Sequence, residues 1–256
     1  VSALVQHPGE TSQERGTKGL VRAVLRFLVW DVLGPISSKW VVGRFRRSAK
    51  GAGTVEAAVD LAMAFRSLHV QITPLQDREE IIEFLKIVER MRPRNVLEIG
   101  TARGGTLFLL TRVASEDAVL TSLDLPGGPF GGGYPERMVP LLESFAVERQ
   151  RIHLMKADSH SEHTRRMVEE VMGGQKLDLL FIDGDHTYDG VRRDFEMYSP
   201  LVRKGGIIAF HDICPGPEDK VGGVPRFWAE VSVGRDSKSV IRDPKQGGFG
   251  IGMLYW

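Results

Sequence analysis

From Asn95 onward, short apolar runs alternate with amphipathic stretches, the pattern of a parallel sheet with crossover helices on both faces. Asn95–Ile99, Val119–Asp124, Ile152–Met155, Leu177–Ile182 and Gly206–Phe210 read as buried strands in that order. Glu136–Glu148, His160–Met172 and Tyr188–Leu201 carry apolar residues at three-to-four spacing and read as helices, with Gly173-Gly174 and Gly205-Gly206 as stop signals. The last stretch breaks the alternation. Ser237–Ile241 and Phe249–Tyr255 read as two strands with no helix between them, so the pair is expected to be antiparallel. Ahead of Asn95 the pattern is helical throughout, with helices expected around Leu20–Val32, Val55–Arg66 and Asp77–Met91.

Composition narrows this picture. A chain of 256 residues, 42% hydrophobic, can bury one substantial core, within the range of a single α/β domain. The formal charge of +1 gives no reason to expect a nucleic-acid partner. The one cysteine, Cys214, excludes an internal disulfide and fits a reducing compartment, so a cytoplasmic location is expected. Arg22, Arg26 and Asp31 interrupt the most hydrophobic segment, which speaks against a transmembrane span or a secretory signal. Leu20–Leu33, followed by Arg44-Phe45-Arg46-Arg47, reads either as a helix covering the active site or a partner subunit, or as a peripheral membrane contact. Residues 1–70 are therefore read as a helical N-terminal extension, serving as lid, oligomerisation element or membrane-surface contact, and a homo-oligomer is expected.

Candidate chemistry gathers at the strand ends. Val96–Thr106 leaves a strand, turns on Gly100 and Gly104 and enters a helix at Thr106, so a ligand is expected against that turn and its unpaired N–H groups. The spacing is not the dinucleotide fingerprint, and Glu98 precedes the turn. A carboxylate there would repel a pyrophosphate and attract an ammonium group. Asp124 closes the second strand, where an acid can accept ribose hydroxyls, and Asp158-Ser159 follow the third, where they could bond an adenine amino group. Thr101 in the turn and Asp183 complete the expected cofactor contacts. A tight strand-to-helix turn alone would also account for the two glycines. The Gly127–Tyr134 run reads as a mobile flap or as a plain linker.

A further strand ends in Asp183-Gly-Asp185-His186, and the next ends in His211-Asp212. Adjacent parallel strands would set Asp183 beside His211 and Asp212, a costly gathering of charge unless a cation or a proton resolves it. His186, with an ordinary pKa near 6.5, suits a general base, and Asp185 competes for the role.

Glu98-x-Gly100-x-Ala102-x-Gly104, Asp124 and Asp158 resemble the motifs of class I methyltransferases that bind S-adenosylmethionine, over about Gln71 to Trp256. Ala102 stands where many members have glycine. The resemblance implies an α/β, Rossmann-like, seven-stranded, mostly parallel sheet with an antiparallel last strand, and a methyltransferase domain over 71–256. The Asp183–His186 and His211-Asp212 pattern resembles metal-assisted O-methyltransferases of sugars and natural products, the methyltransferase family 24 and the macrocin- and cephalosporin-hydroxylase-like proteins. That likeness implies a small-molecule or glycan acceptor and a divalent ion, Mg²⁺ or Mn²⁺, held by Asp183 and Asp212. His211 is the departure. Such enzymes often carry an acid there, and imidazole suits Mn²⁺, Fe²⁺ or Zn²⁺ better than Mg²⁺, so His211 is either a ligand to a different metal or not a ligand.

Overall fold

A computed structural model describes residues 34–68, 70–127 and 132–256. The helix expected over Leu20–Val32 and part of the glycine-rich run lie outside the described residues. The chain runs α1 (Gly34–Ala49), α2 (Val55–Ala64), β1 (Arg66–Ser67), β2 (Val70–Gln71), α3 (Arg78–Met91), β3 (Asn95–Ile99), α4 (Gly105–Val113), β4 (Val119–Asp124), α5 (Val139–Glu143), β5 (Arg151–Lys156) and α6 (Glu162–Met172). It continues through β6 (Leu177–Ile182), α7 (Tyr188–Tyr198), β7 (Val202–His211), α8 (Glu218–Val221), α9 (Val224–Val231), β8 (Ser237–Val240) and β9 (Ile251–Tyr255).

Seven strands form one sheet in the order β5-β4-β3-β6-β7-β9-β8. The pairings from β5 across to β7 are parallel, and β9 runs antiparallel to both neighbours. This is the Rossmann-like arrangement expected. The chain winds outward from β3 to β5, then returns to lay β6 on the other side of β3. The carboxyl ends of β3 and β6 therefore flank a topological switch point, where open α/β sheets hold ligands.

Period-two alternation divides the core between the two faces of the sheet. Val96, Leu179 and Phe181 join Phe84, Leu107, Phe108 and Phe145 on one face. Leu97, Ile99, Leu180 and Ile182 join Val168, Val191, Phe195 and Trp228 on the other. The helices before residue 65 belong to the first cluster: Val41, Phe45, Val59 and Ala62 are buried in it, and the Phe45 ring lies 5.4, 5.2 and 4.9 Å from those of Phe65, Phe108 and Phe145.

Local expectation and structure part at four places. The stretch before Asn95 is not wholly helical, because the chain reverses at Leu68 (φ +46) and pairs β1 with β2, burying Val70 and Ile72. A helix covers Gly34–Ala49, inside the stretch expected to be helical but between the individual helices read there. The helix expected over Glu136–Glu148 shrinks to a single 3-10 turn and α5; the chain leaves the helix so that Phe145 enters the core and the Gln150 amide reaches the carbonyls of Thr111 and Ser115. Gly205 and Gly206 lie inside β7, where a Cβ on Gly206 would come within 3.0 Å of the Asp178 carbonyl.

Candidate active site

The turn after β3 brings two strand ends into contact. Gly100 has φ +102, and a Cβ there would sit 1.9 Å from the Asp183 carbonyl oxygen, so only glycine lets the ends of β3 and β6 lie side by side. Ala102 is also left-handed, at φ +44, a conformation that costs a non-glycine residue about 1–2 kcal/mol. Its N–H donates to Asp124 Oδ2 at 2.6 Å, and such a charge-assisted bond offsets that cost.

Glu98 does not occupy the place its sequence position suggested. It is one residue short of the strand end, fully buried against the sheet face, and absent from the cavity wall. Its carboxyl accepts the Ser122 hydroxyl, which lies 2.6 Å from that of Thr101, and its Oε1 has no partner. Burial, with added repulsion from Asp183 and Asp124, raises its pKa to about 8 even though Ser122 opposes the shift. At neutral pH the group is therefore mostly uncharged. It supports the turn from below rather than meeting a ligand with a charge.

Over the carboxyl edge opens a cavity of about 510 Å³, lined among others by Gly100, Thr101, Asp124, Asp158, Ser159, Asp183, Asp185, His186, His211 and Asp212. Gly104 does not line it. It turns the chain into α4 at φ +77, and a Cβ there would meet Leu142 at 2.2 Å. Asp124 accepts N–H groups from Ala102 and, at 2.7 Å, from Gly133. Desolvation nevertheless raises its pKa. Asp158 folds back to accept the His160 N–H at 2.9 Å.

His160, not singled out from the sequence, lines the same end of the cavity. Its Nε2 lies 3.3 Å from Asp194 Oδ1 and 3.2 Å from the Gly190 carbonyl. Asp194 is completely buried. The Asp194 carboxylate beside it, outweighing burial, raises the imidazole pKa. A carboxylate on the inward face of a helix was the signal that could have marked this pair.

At the other end Asp183 is the hub. Its Oδ1 lies 3.2 Å from His211 Nδ1 and 3.4 Å from His186 Nε2, and its Oδ2 accepts from Gln76 Nε2 at 3.3 Å. Gln76, another residue the sequence did not flag, accepts in turn from Thr106. Burial alone would raise the Asp183 pKa, but the two imidazoles outweigh it and hold the group below the usual carboxylate range. The same contacts overcome the effect of burial on the histidines, raising His186 to about 9 and His211 to about 10.

The groups that could hold a cation are Asp183, His186 and Asp212, with ligand atoms within 4.8 Å of one another. His211 is outside this set. Its Nδ1 faces the two acids and its Nε2 is buried without a partner. His186 Nδ1 meets the Lys220 carbonyl, which fixes the proton on that nitrogen and leaves Nε2 toward Asp183. Asp185 lines the cavity, but its Oδ1 accepts the Thr187 N–H at 2.8 Å, beside the N-cap of α7.

These shifts give a stability profile. A histidine that titrates near 6.5 when exposed and near 9 or 10 when folded contributes stability that is complete below pH 6.5 and lost as pH rises through the folded value. Glu98 acts in the same sense, since an acid with a raised pKa costs stability progressively from about pH 4.5 to about 8. Asp183 acts in the opposite range, its contribution present above about 3.8 and lost on acidification. In chelator-treated buffer the unfolding free energy from urea titrations is expected to fall between pH 6.5 and 10, by a few kcal/mol at about 1.4 kcal/mol per proton and pH unit, and the midpoint with it. A midpoint that does not fall between about pH 8 and 10, above the range of Glu98, would show the histidines to be neutral in the folded protein.

Residues 97–213 match the family model of a methyltransferase domain, methyltransferase family 24. The chain is 28% identical over 177 residues to an uncharacterized protein of Sinorhizobium fredii, covering 66% of this chain and 18% of that one, so it spans less than a fifth of that relative. It is 25% identical over 174 residues to tapetum-specific methyltransferase 1 of Arabidopsis thaliana, covering 65% of this chain and 69% of the other. Among solved structures it resembles the O-methyltransferase from Bacillus cereus in complex with SAH, with a TM-score of 0.52, 19% identity and coverage of 91% and 97%. At that identity the likeness speaks to the fold.

Proposed function

We propose that this chain, whose residues 97–213 match the family model of a methyltransferase domain, transfers a methyl group from S-adenosylmethionine to a hydroxyl of a sugar, a glycoside or another small natural product. One observation carries the reading: a single cavity joins the strand-end residues Thr101, Asp124, Asp158 and Ser159, which would hold the nucleoside, to an acid-and-imidazole cluster, Asp183, His186 and Asp212. S-adenosylmethionine would supply an electrophilic methyl group on a sulfonium. Asp124, which lines the cavity at the end of β4 and takes N–H bonds from Ala102 and Gly133, is the acid that would accept ribose hydroxyls. The cluster fits a divalent ion, since Asp183 and Asp212 offer it two carboxylates, with the His186 imidazole beside them. The ion would stabilise charge on an acceptor oxygen, and a carboxylate ligand set suits Mg²⁺ or Mn²⁺.

His186 is the residue placed to take the acceptor proton. Its raised pKa, about 9, means that it carries a proton at neutral pH unless a cation relieves Asp183 of its pairing role. Asp185 is less suited, being committed to the start of α7. A metal-independent enzyme is the second reading, favoured by the balance that two protonated histidines already give to Asp183 and Asp212.

Calorimetry with S-adenosylmethionine, followed by product mass across a panel of glycosides and phenols with Mg²⁺, Mn²⁺ or EDTA, tests these readings. A gain of one methyl that EDTA abolishes supports metal assistance. A gain indifferent to EDTA supports the second reading, and absence of cofactor binding overturns both. In the same calorimetry His160→Ala is expected to weaken SAH binding about tenfold, roughly 1.4 kcal/mol, because the imidazole forms the wall beside Asp158 and Ser159. Unchanged affinity would assign His160 to packing alone.

A further inference from the structure

The helix α1 has two unlike faces. Val41 and Phe45 anchor the inner one in the core. The outer one presents Ile36, 70% exposed, and Trp40, 46% exposed, four residues apart and so on one stripe of the helix. Residues 34–50 carry Lys39, Arg44, Arg46, Arg47 and Lys50 and no acid, and all five cations are exposed. The Arg44 guanidinium lies 5.7 Å from the Trp40 ring centroid, and none of the five forms an ion pair among the described residues.

We propose that this face of α1 docks on an anionic lipid surface. Large apolar side chains beside a one-sign band of cations match the two requirements of interfacial binding, shallow burial of apolar area and attraction to acidic headgroups. A second copy of the chain fits less well, because a symmetric contact would set five cations against five. The preceding sequence is of similar chemistry, with Arg22 and Arg26 against one acid, Asp31, among the apolar residues of Leu20–Leu33. Among the described residues no helix is long and apolar enough to cross a membrane, so the contact proposed is peripheral. It does not rest on the methyl-transfer reading.

The test is co-sedimentation of the full chain with phosphatidylcholine vesicles and with vesicles holding about one third phosphatidylglycerol, at low and high salt. Binding is expected to the anionic vesicles only and to weaken with salt. Each basic residue near the surface is worth about fivefold in affinity, so Arg44→Glu/Arg46→Glu/Arg47→Glu should lower binding by at least about a hundredfold. Ile36→Ser/Trp40→Ser should lower it while leaving the salt dependence. Both variants change exposed positions, and thermal melts would confirm that they fold. The proposal fails if the wild type ignores anionic vesicles, if the triple variant binds like the wild type, or if sedimentation velocity shows a dimer that Trp40→Ser dissociates, which would assign the face to a second copy.

Discussion

Asp183→Asn is expected to lower methyl transfer by at least about a thousandfold and to reduce unfolding free energy by about 3–5 kcal/mol. The amide keeps the shape and removes the charge that holds two imidazoles. His211, whose side chain is 2% exposed, would be left as a buried cation with only Asp212 beside it, or would have to lose its proton. The NH₂ group of asparagine would also point a donor at donors. A urea titration would show the loss as a lower midpoint at unchanged slope, and product mass would report the loss of transfer. A variant with the wild-type midpoint would mean that Asp183 and the histidines are not paired as charges.

Gly100→Ala should be worse for folding, with a cost above about 4 kcal/mol. Two penalties coincide at this position. The backbone sits at φ +102, and the added carbon would lie 1.9 Å from the backbone oxygen of Asp183, just past β6, which cannot rotate away as a side chain would. Relief requires β3 and β6 to part at their carboxyl ends, where Asp183 enters the cavity, so SAH binding should be lost along with stability. Gly127→Ala is the control. Gly127 also has positive φ, +75, but a Cβ there meets nothing within 4 Å, so only the conformational cost of about 1–2 kcal/mol remains. Equal melting temperatures for the two variants would refute the steric account.

Much of the candidate site could be read locally because chain direction alone places it. In a parallel sheet every strand ends on the same edge, so residues at or just past strand ends share a rim. Asp124, Asp158, Asp183, His211 and Asp212 all occupy such positions, and all line the cavity. Glu98 stands one residue inside β3, and the pleat turns it toward Ser122 and the sheet face rather than over the edge. Counting to the strand end, rather than noting an acid near a glycine turn, would have separated the two cases.

Sequence by itself determined the alternation of strands and helices, the antiparallel ending and the identity of the acids on the rim, since each follows from short-range periodicity and from one direction of chain. Only the tertiary structure decided which imidazole joins Asp183 and Asp212, which acid is neutral, and which residues stand behind them. His186 is aimed by the Lys220 carbonyl, 34 positions away, and Asp183 is steadied by Gln76, 107 positions away. Proton positions at the cluster depend on how deeply Asp183, His211 and Glu98 are buried together, and burial is a property of the packed whole that no stretch of sequence carries alone.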